Sequence, residues 1–158
     1  MIKKIAAAAT AGTIAWAGIS GIDNTTRDEV GQIVQSGDLG AFVTKVGDCI
    51  NDLPQDSDTV DVLKGVPCSD GHHWQIIHKE NLSLTDFSQY AIDIETETIC
   101  NSAVESLVNS LASSKLDEYQ NATQQYFFPT ADSWENDDRV VDCLIGSFSE
   151  TYYSSLLD

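Results

Sequence analysis

Residues 127–143 read FFPTADSWENDDRVVDC, and this stretch decides how the second half of the chain folds. Its proline ends the preceding segment, and the polar residues that follow predict a one-turn helix ending at a tryptophan. Two apolar runs flank the stretch and are predicted strands, at residues 124–128 and 140–145. The stretch is therefore predicted to join two strands through a short helical turn.

The longest periodic segment is the predicted main helix at residues 97–116. Its apolar residues keep three- and four-residue spacing and share one face; they are Ile99, Cys100, Ala103, Val104, Leu107, Val108 and Leu111. Further strands are predicted at residues 41–50, 60–68 and 73–79. The combination favours an α+β fold, in which a small antiparallel sheet packs on one main helix.

Residues 26–34 allow two interpretations. Thr26 and Glu29 have the spacing of a capping box, which would begin a helix. The β-branched residues and Gly31 that follow favour an extended arm instead, with a turn at Gly37. We expect the extended arm.

The first seventeen residues have the three-part pattern of a secretory signal. Lys3 and Lys4 precede an apolar run, and Ala15 and Ala17 are the small residues that a signal peptidase reads. We predict a signal peptide at residues 1–17, a flexible lead at 18–26 and one domain at 27–158. An uncleaved membrane anchor is the alternative, since the run is about eighteen residues long, the lower limit for a span. The domain is expected outside the cytoplasm, secreted or anchored by that segment alone.

The charge restricts the class of partner. The 158 residues carry 25 acidic and 8 basic side chains, and the formal net charge is −17. Such a surface repels phosphate backbones and anionic lipid headgroups, so we expect no nucleic-acid partner.

Four cysteines lie in the predicted exported part, at Cys49, Cys68, Cys100 and Cys143. An even number in an oxidising compartment predicts disulfides, and three pairings are possible. The sequential pairing, Cys49–Cys68 and Cys100–Cys143, is the simplest, because it closes each half of the domain separately. The spacing lacks the close cysteine pairs of structural zinc sites, and we predict no metal and no cofactor.

His72, Trp134 and Arg139 are the remaining candidates for a binding or structural motif. His72 is expected to bond to backbone in the turn after Cys68, and its charge would also allow it to sense pH. Its neighbour His73 would point to the opposite face of a strand, which disfavours a shared metal. Trp134 is favoured as a core residue over a sugar-stacking platform, because it ends the helical turn. Arg139 is expected to clamp the carboxylates around it.

Several segments carry a family signature. They are Arg27-Asp28 with Gly31 and Gly37-Asp38, then Val46-Gly47-Asp48-Cys49, then Val66-Pro67-Cys68-Ser69-Asp70-Gly71-His72, and residues 129–134 and 138–144, which read PTADSW and DRVVDCL. Together they resemble the septum-formation domain of actinobacterial envelope proteins. Gly71 stands where the family motif has proline, and Gln75 where it has glutamate. The resemblance implies an exported or membrane-tethered role near the division septum, and no known enzyme activity.

We therefore expect a non-enzymatic extracytoplasmic domain that binds another envelope protein or a cell-wall component, with no catalytic residue. The alternative is an enzyme that acts on cell-wall polymer through acids such as Asp132, Glu135 and Asp138. An enzyme requires a cleft around those acids and a raised pKa in one of them. A binding domain requires an exposed apolar patch instead.

Overall fold

The computed structural model describes residues 3–4, 21–55 and 60–158, which form an α+β domain. The strands are β1 (Lys3–Lys4), β2 (Thr26–Arg27), β3 (Ile33–Gln35), β4 (Gly37–Gly40), β5 (Cys49–Asn51), β6 (Val62–Val66), β7 (Trp74–Asn81), β8 (Thr123–Phe127) and β9 (Val140–Gly146). The helices are α1 (Gln89–Ser110), α2 (Ser113–Glu118) and α3 (Ala131–Glu135). Short 3₁₀ turns occupy Ala41–Val43 and Cys68–Asp70. The predicted signal segment at 1–17 lies outside the described residues, apart from Lys3 and Lys4.

Seven strands form one sheet in the order β1-β8-β9-β7-β5-β6-β4, and β2 pairs with β3 in a separate two-stranded sheet. Neighbouring strands are antiparallel except for the short parallel contact between β1 and β8. The longest pairing joins β7 to β9, from Trp74 opposite Gly146 to Asn81 opposite Val140. The predicted α+β class, with an antiparallel sheet beside one main helix, is confirmed.

Both faces of this sheet are buried. Alternate residues of β9 point to opposite sides, so Val141, Cys143 and Ile145 join a core beneath α1, whereas Leu144 joins a second core on the other face. Trp74 and Ile76 of β7 belong to that second core, which the segment before β5 covers. The sequence predicted the helix layer on one face of the sheet. It did not predict the second layer, which is the segment before β5 on the other face.

The sequential disulfide pairing is confirmed. Cys49 bonds to Cys68 with the Cα atoms 5.2 Å apart, and Cys100 bonds to Cys143 with the Cα atoms 5.4 Å apart. The second bond links α1 to β9 inside the helix-side core.

The main helix begins earlier than predicted and ends earlier. Ser88 caps it, since its hydroxyl oxygen accepts a hydrogen bond from Ala91 N at 3.3 Å, and this places the start at Gln89. The expected span of 97–116 missed residues 89–96, in which only Ile92 and Thr96 are buried. At the other end Leu111 adopts an extended backbone, and α2 follows as a separate helix.

Two other expectations are wrong in detail. The predicted strand at 41–50 contains a 3₁₀ turn and then a tight turn at Gly47, where φ is +98°, so only Cys49–Asn51 is a strand. The arm at 26–34 is extended as expected, but its turn lies at Gly31, where φ is +90°, and not at Gly37. Gly37 instead lies in β4, where a Cβ atom would collide with the backbone of Asn24.

Part of the expected flexible lead is bound to the sheet. Gly40 N donates to Ile22 O at 2.7 Å, and Asn24 N donates to Asp38 O at 2.8 Å. These bonds place residues 22–24 beside β4, so they are a component of the fold. Among the described residues, no helix has the length and apolar character needed to cross a membrane.

Gly146 provides a test of the central pairing. A Cβ atom there would collide with the carbonyl oxygen of His73 and with the backbone of Trp74, so Gly146→Ala should lower the free energy of unfolding by about 3 kcal/mol. Gly21→Ala is the control, because a Cβ atom there meets no atom within 4 Å, and it should change stability by less than about 1 kcal/mol. Chemical denaturation measures both, and equal stability of the two variants would contradict the close approach of β7 and β9.

Candidate functional site

One concave surface of the described residues is a groove of about 760 Å³. Four separate segments line it: residues 30–34, 45–49, 66–70 and 153–158, the last without Leu156. The groove thus brings together the N-terminal arm, the turn before β5, the turn after β6 and the end of the described chain.

Exposed apolar side chains concentrate at this groove. Of the ten large apolar side chains exposed in the described part of the chain, half line it: Val30, Val34, Val46, Tyr153 and Leu157. Their exposed fractions run from 41 to 80%. Clustering of this kind marks a binding surface, whereas scattered apolar residues are ordinary. The groove is therefore the candidate functional site.

A buried ion pair fixes the arm that forms one wall. The Arg27 guanidinium donates to both carboxylate oxygens of Asp48, at 2.6 and 2.9 Å, and also to Gly31 O at 2.8 Å. Asp23 accepts a further bond from Arg27 Nε at 3.0 Å. Hydrogen bonding to Asp48 raises the pKa of Arg27 above its usual value, so the guanidinium stays charged. This bidentate ion pair holds the arm against the turn at 45–49.

The wall at residues 153–158 is held by Gln75, which is fully buried. Its Nε2 donates to Ser155 Oγ at 2.8 Å, and its Oε1 accepts from Leu156 N at 2.7 Å. A carboxamide suits this position because it supplies one donor and one acceptor side by side. The sequence pointed to Gln75 only as a departure from a family glutamate and gave it no role.

His72 lies beneath the same wall and is fully buried. Its Nδ1 lies 2.9 Å from Cys68 O, which confirms the expected bond to backbone in the turn after Cys68. Its Nε2 lies 3.1 Å from the hydroxyl of Tyr119, and its backbone pairs with Tyr152. Burial lowers the pKa of His72, which favours the neutral ring. The ring nitrogens thus contact the Cys68 turn and Tyr119, while the backbone of His72 holds the tail at Tyr152. That His72 senses pH remains a prediction.

Trp134 and Arg139 form a packing pair away from the groove. Trp134 is buried in the helix-side core, as expected, and α3 positions it through a capping box between Thr130 and Ser133. The expectation for Arg139 is wrong. Its guanidinium carbon lies 3.6 Å from the centroid of the Trp134 ring, and its Nη1 donates to Trp134 O and Asp138 O at 2.9 and 2.8 Å. Carbonyl oxygens and an aromatic face take the place of the expected carboxylates.

The three candidate acids are not brought together. Asp132 and Glu135 are exposed, whereas Asp138 is buried beside a cavity of about 40 Å³. Lys79 and Asp142 also line this cavity, together with Phe127 and Phe128 as part of its apolar walls. A volume of this size holds a few waters at most and is too small for a sugar ring.

Asp142 is the most buried acid beside that cavity. Lys79 Nζ lies 3.1 Å from its Oδ1. The same ammonium donates hydrogen bonds to Thr44 O at 2.7 Å and to Thr44 Oγ1 at 2.8 Å. Thr44 Oγ1 lies 3.0 Å from the other carboxylate oxygen. Burial raises the pKa of Asp142, and Lys79 opposes the rise. The cluster ties the second layer to β7 and β9.

The described residues define a disulfide-bonded α+β domain with a groove that five exposed apolar side chains line. The family model described as Septum formation matches residues 16–143, which is most of the chain. The chain therefore belongs to the septum-formation family. Its disulfides and its family fit an extracytoplasmic location. Neither the curated proteins nor the solved structures contain a match to this chain.

Asp138 gives a pH-dependent prediction. Burial raises its pKa above the usual 3.8, so the folded chain binds this proton more tightly than the unfolded chain. The side chain therefore supports folding most below pH 3.8, and that support is lost as the pH rises through the raised pKa. Asp138→Asn cannot ionise, so its stability relative to the parent should rise as the pH rises through this window.

Chemical denaturation between acidic and neutral pH measures the difference. Glu135→Gln is the control, because this carboxyl group is exposed, and its difference from the parent should stay constant with pH. Parallel stability curves for Asp138→Asn and the parent would show that burial of this acid carries no cost.

Proposed function

We propose that this domain binds another protein of the cell envelope through its groove, without catalysing a reaction, and that this binding serves septum formation. The observation that carries the proposal is the group of five exposed apolar side chains around the groove. Burial of such side chains by a partner is favourable in water, and a surface left uncovered would favour aggregation. The domain is secreted or held at the membrane by its N-terminal segment, so its partner lies in the same compartment.

The chemistry of the rim favours a polypeptide over a wall polysaccharide. Four of the five exposed apolar residues are aliphatic, and Tyr153 is the one aromatic ring among them. Aliphatic side chains gain from burial against other apolar groups, and a hydroxyl-rich polymer offers few of these. Apolar side chains of a partner peptide would fill the groove.

The charge favours a basic partner. Asp70 and Asp158 line the groove and outnumber its exposed base, Lys45. Asp48 also lines the groove but is left out of this count, because Arg27 neutralises it. The whole chain has a formal net charge of −17. A second copy of the chain would bring the same negative charge, so self-association is disfavoured. The partner segment is expected to carry lysine or arginine beside its apolar residues.

The acids named for the enzyme alternative support a non-enzymatic role. Asp132 and Glu135 are exposed, and the cavity beside Asp138 measures about 40 Å³, which leaves no room for a polymer. The raised pKa of Asp138 is explained by its burial in the fold. Its effect is on stability, as tested above.

Short synthetic peptides test the proposal. A peptide that alternates leucine and lysine should bind the purified domain, while a leucine–glutamate peptide, a leucine–serine peptide and soluble wall fragments should not. Replacing Val34 and Val46 by serine should weaken binding at least about tenfold, or about 1.4 kcal/mol, because both side chains line the groove. Isothermal titration calorimetry measures these affinities.

Val62→Ser is the matched control, because Val62 is exposed to a similar degree and lies outside the groove. It should leave peptide affinity unchanged. Equal binding of the lysine and glutamate peptides would refute the charge preference. Binding of wall fragments that the groove substitutions abolish would refute the preference of the groove for a polypeptide.

A further inference from the structure

The two disulfides lie in different surroundings. Cys100 and Cys143 are both fully buried in the core between α1 and β9. Cys49 and Cys68 both line the groove, and Cys68 is only partly buried there. Thiol–disulfide exchange requires a thiolate to reach one sulfur of the bond, so access decides which disulfide reacts. The groove offers that access to one bond and the core denies it to the other.

We propose that the Cys49–Cys68 disulfide is an exchange site for a dithiol that enters the groove, whereas Cys100–Cys143 is a permanent structural bond. The proposal concerns a chemical reaction of the disulfide and stands whether or not the groove binds a partner peptide. Its dithiol substrate is either a small molecule or the reduced cysteine pair of a thiol–disulfide oxidoreductase. In both cases the reaction is thiol–disulfide exchange.

Cys68 is the sulfur that the dithiol attacks, because Cys49 is almost completely buried. A thiolate of the dithiol forms a mixed disulfide with Cys68 while the Cys49–Cys68 bond breaks, and Cys49 leaves as a thiolate that takes up a proton. The second thiol of the reagent then attacks its own sulfur in the mixed disulfide and releases Cys68. The dithiol is oxidised to a disulfide, and its two electrons reduce the cystine to two thiols.

The groove contains groups that suit this reaction. Lys45 lines it, and an ammonium favours a thiolate over a thiol, whereas the carboxylates of Asp70 and Asp158 in the same groove act against it. Gln75 Nε2 lies 3.9 Å from Cys68 Sγ and can donate a weak hydrogen bond to this sulfur when it is released. The core around Cys100 and Cys143 is made of apolar and aromatic side chains, which oppose thiolate formation.

Reduction at this site would loosen the groove without unfolding the domain. The bond joins the turn at 45–49 to the turn at Cys68–Asp70, which are two walls of the groove. The backbone pairing of β5 with β6 and the Arg27–Asp48 ion pair remain after the bond is broken. Cys68–Asp70 would keep its local turn, the contact of Cys68 O with His72 and the weak hydrogen bond from Gln75 to the sulfur. An effect on partner binding would follow, and that last step rests on the function proposed above.

Differential alkylation of the full folded chain tests the proposal. The oxidised protein is treated with increasing dithiothreitol, freed thiols are blocked with N-ethylmaleimide, and labelled cysteines are located by peptide mass spectrometry. We expect Cys49 and Cys68 to be labelled together at reductant concentrations at least about tenfold below those needed for Cys100 and Cys143. Labelling of all four cysteines at one concentration, or of Cys100 and Cys143 first, would overturn the proposal.

Two further measurements separate access through the groove from general instability. Ser69→Phe places a bulky ring beside Cys68 and should slow reduction of the Cys49–Cys68 bond, while Ser83→Phe, exposed outside the groove, should not. Equal rates for both variants would exclude the groove as the route.

Amide hydrogen exchange should rise at residues 45–49 and 66–70 after reduction and stay constant in α1. Faster exchange in α1 would mean that the bond supports the whole fold. Because alkylation needs no partner, these outcomes are independent of the peptide-binding result.

Discussion

The antiparallel pairing of β7 with β9 is the constraint on which the rest of the structure depends. The two strands lie at the centre of the sheet and form its longest pairing. Because a strand points alternate side chains to opposite faces, β9 supplies Cys143 to the helix-side core and Asp142 to the other face. One seven-residue strand thus anchors α1 through a disulfide and contacts the second layer through the hydrogen bond that Thr44 donates to Asp142.

The two layers differ in how they are held. The helix side combines a disulfide with stacked aromatic rings, Tyr119 and Tyr152, whose centroids lie 4.1 Å apart. The opposite side combines the second hydrophobic core with buried polar contacts, chiefly Lys79 with Asp142 and Arg27 with Asp48. Burial makes such pairs costly to break, because each partner would be left as an uncompensated charge. The groove lies where this second layer meets the tail that Gln75 holds.

Local patterns predicted the features that depend on neighbouring residues. Alternating and apolar runs located both ends of β6, β7, β8 and β9 to within two residues. Three- and four-residue spacing located much of α1. Contacts between distant segments were missed. Arg139 lies among acids in the sequence, and yet the ring of Trp134 and two carbonyl oxygens hold it. The run at 41–50 has strand-like residues, but the side chain of Asp48 accepts a bond from Lys45 N and fixes a turn there.

The sequence by itself determined the fold class, the family, the four disulfide cysteines and the acidic character of the chain. These follow from composition, periodicity and short motifs, which are properties of residues close together along the chain. Only the tertiary structure decided that the candidate site is a groove, because its walls come from four segments more than a hundred residues apart at their extremes. It also decided which disulfide reaches solvent. Both disulfides are simple cysteine pairs in the sequence, and their difference arises from what the folded chain packs around each one.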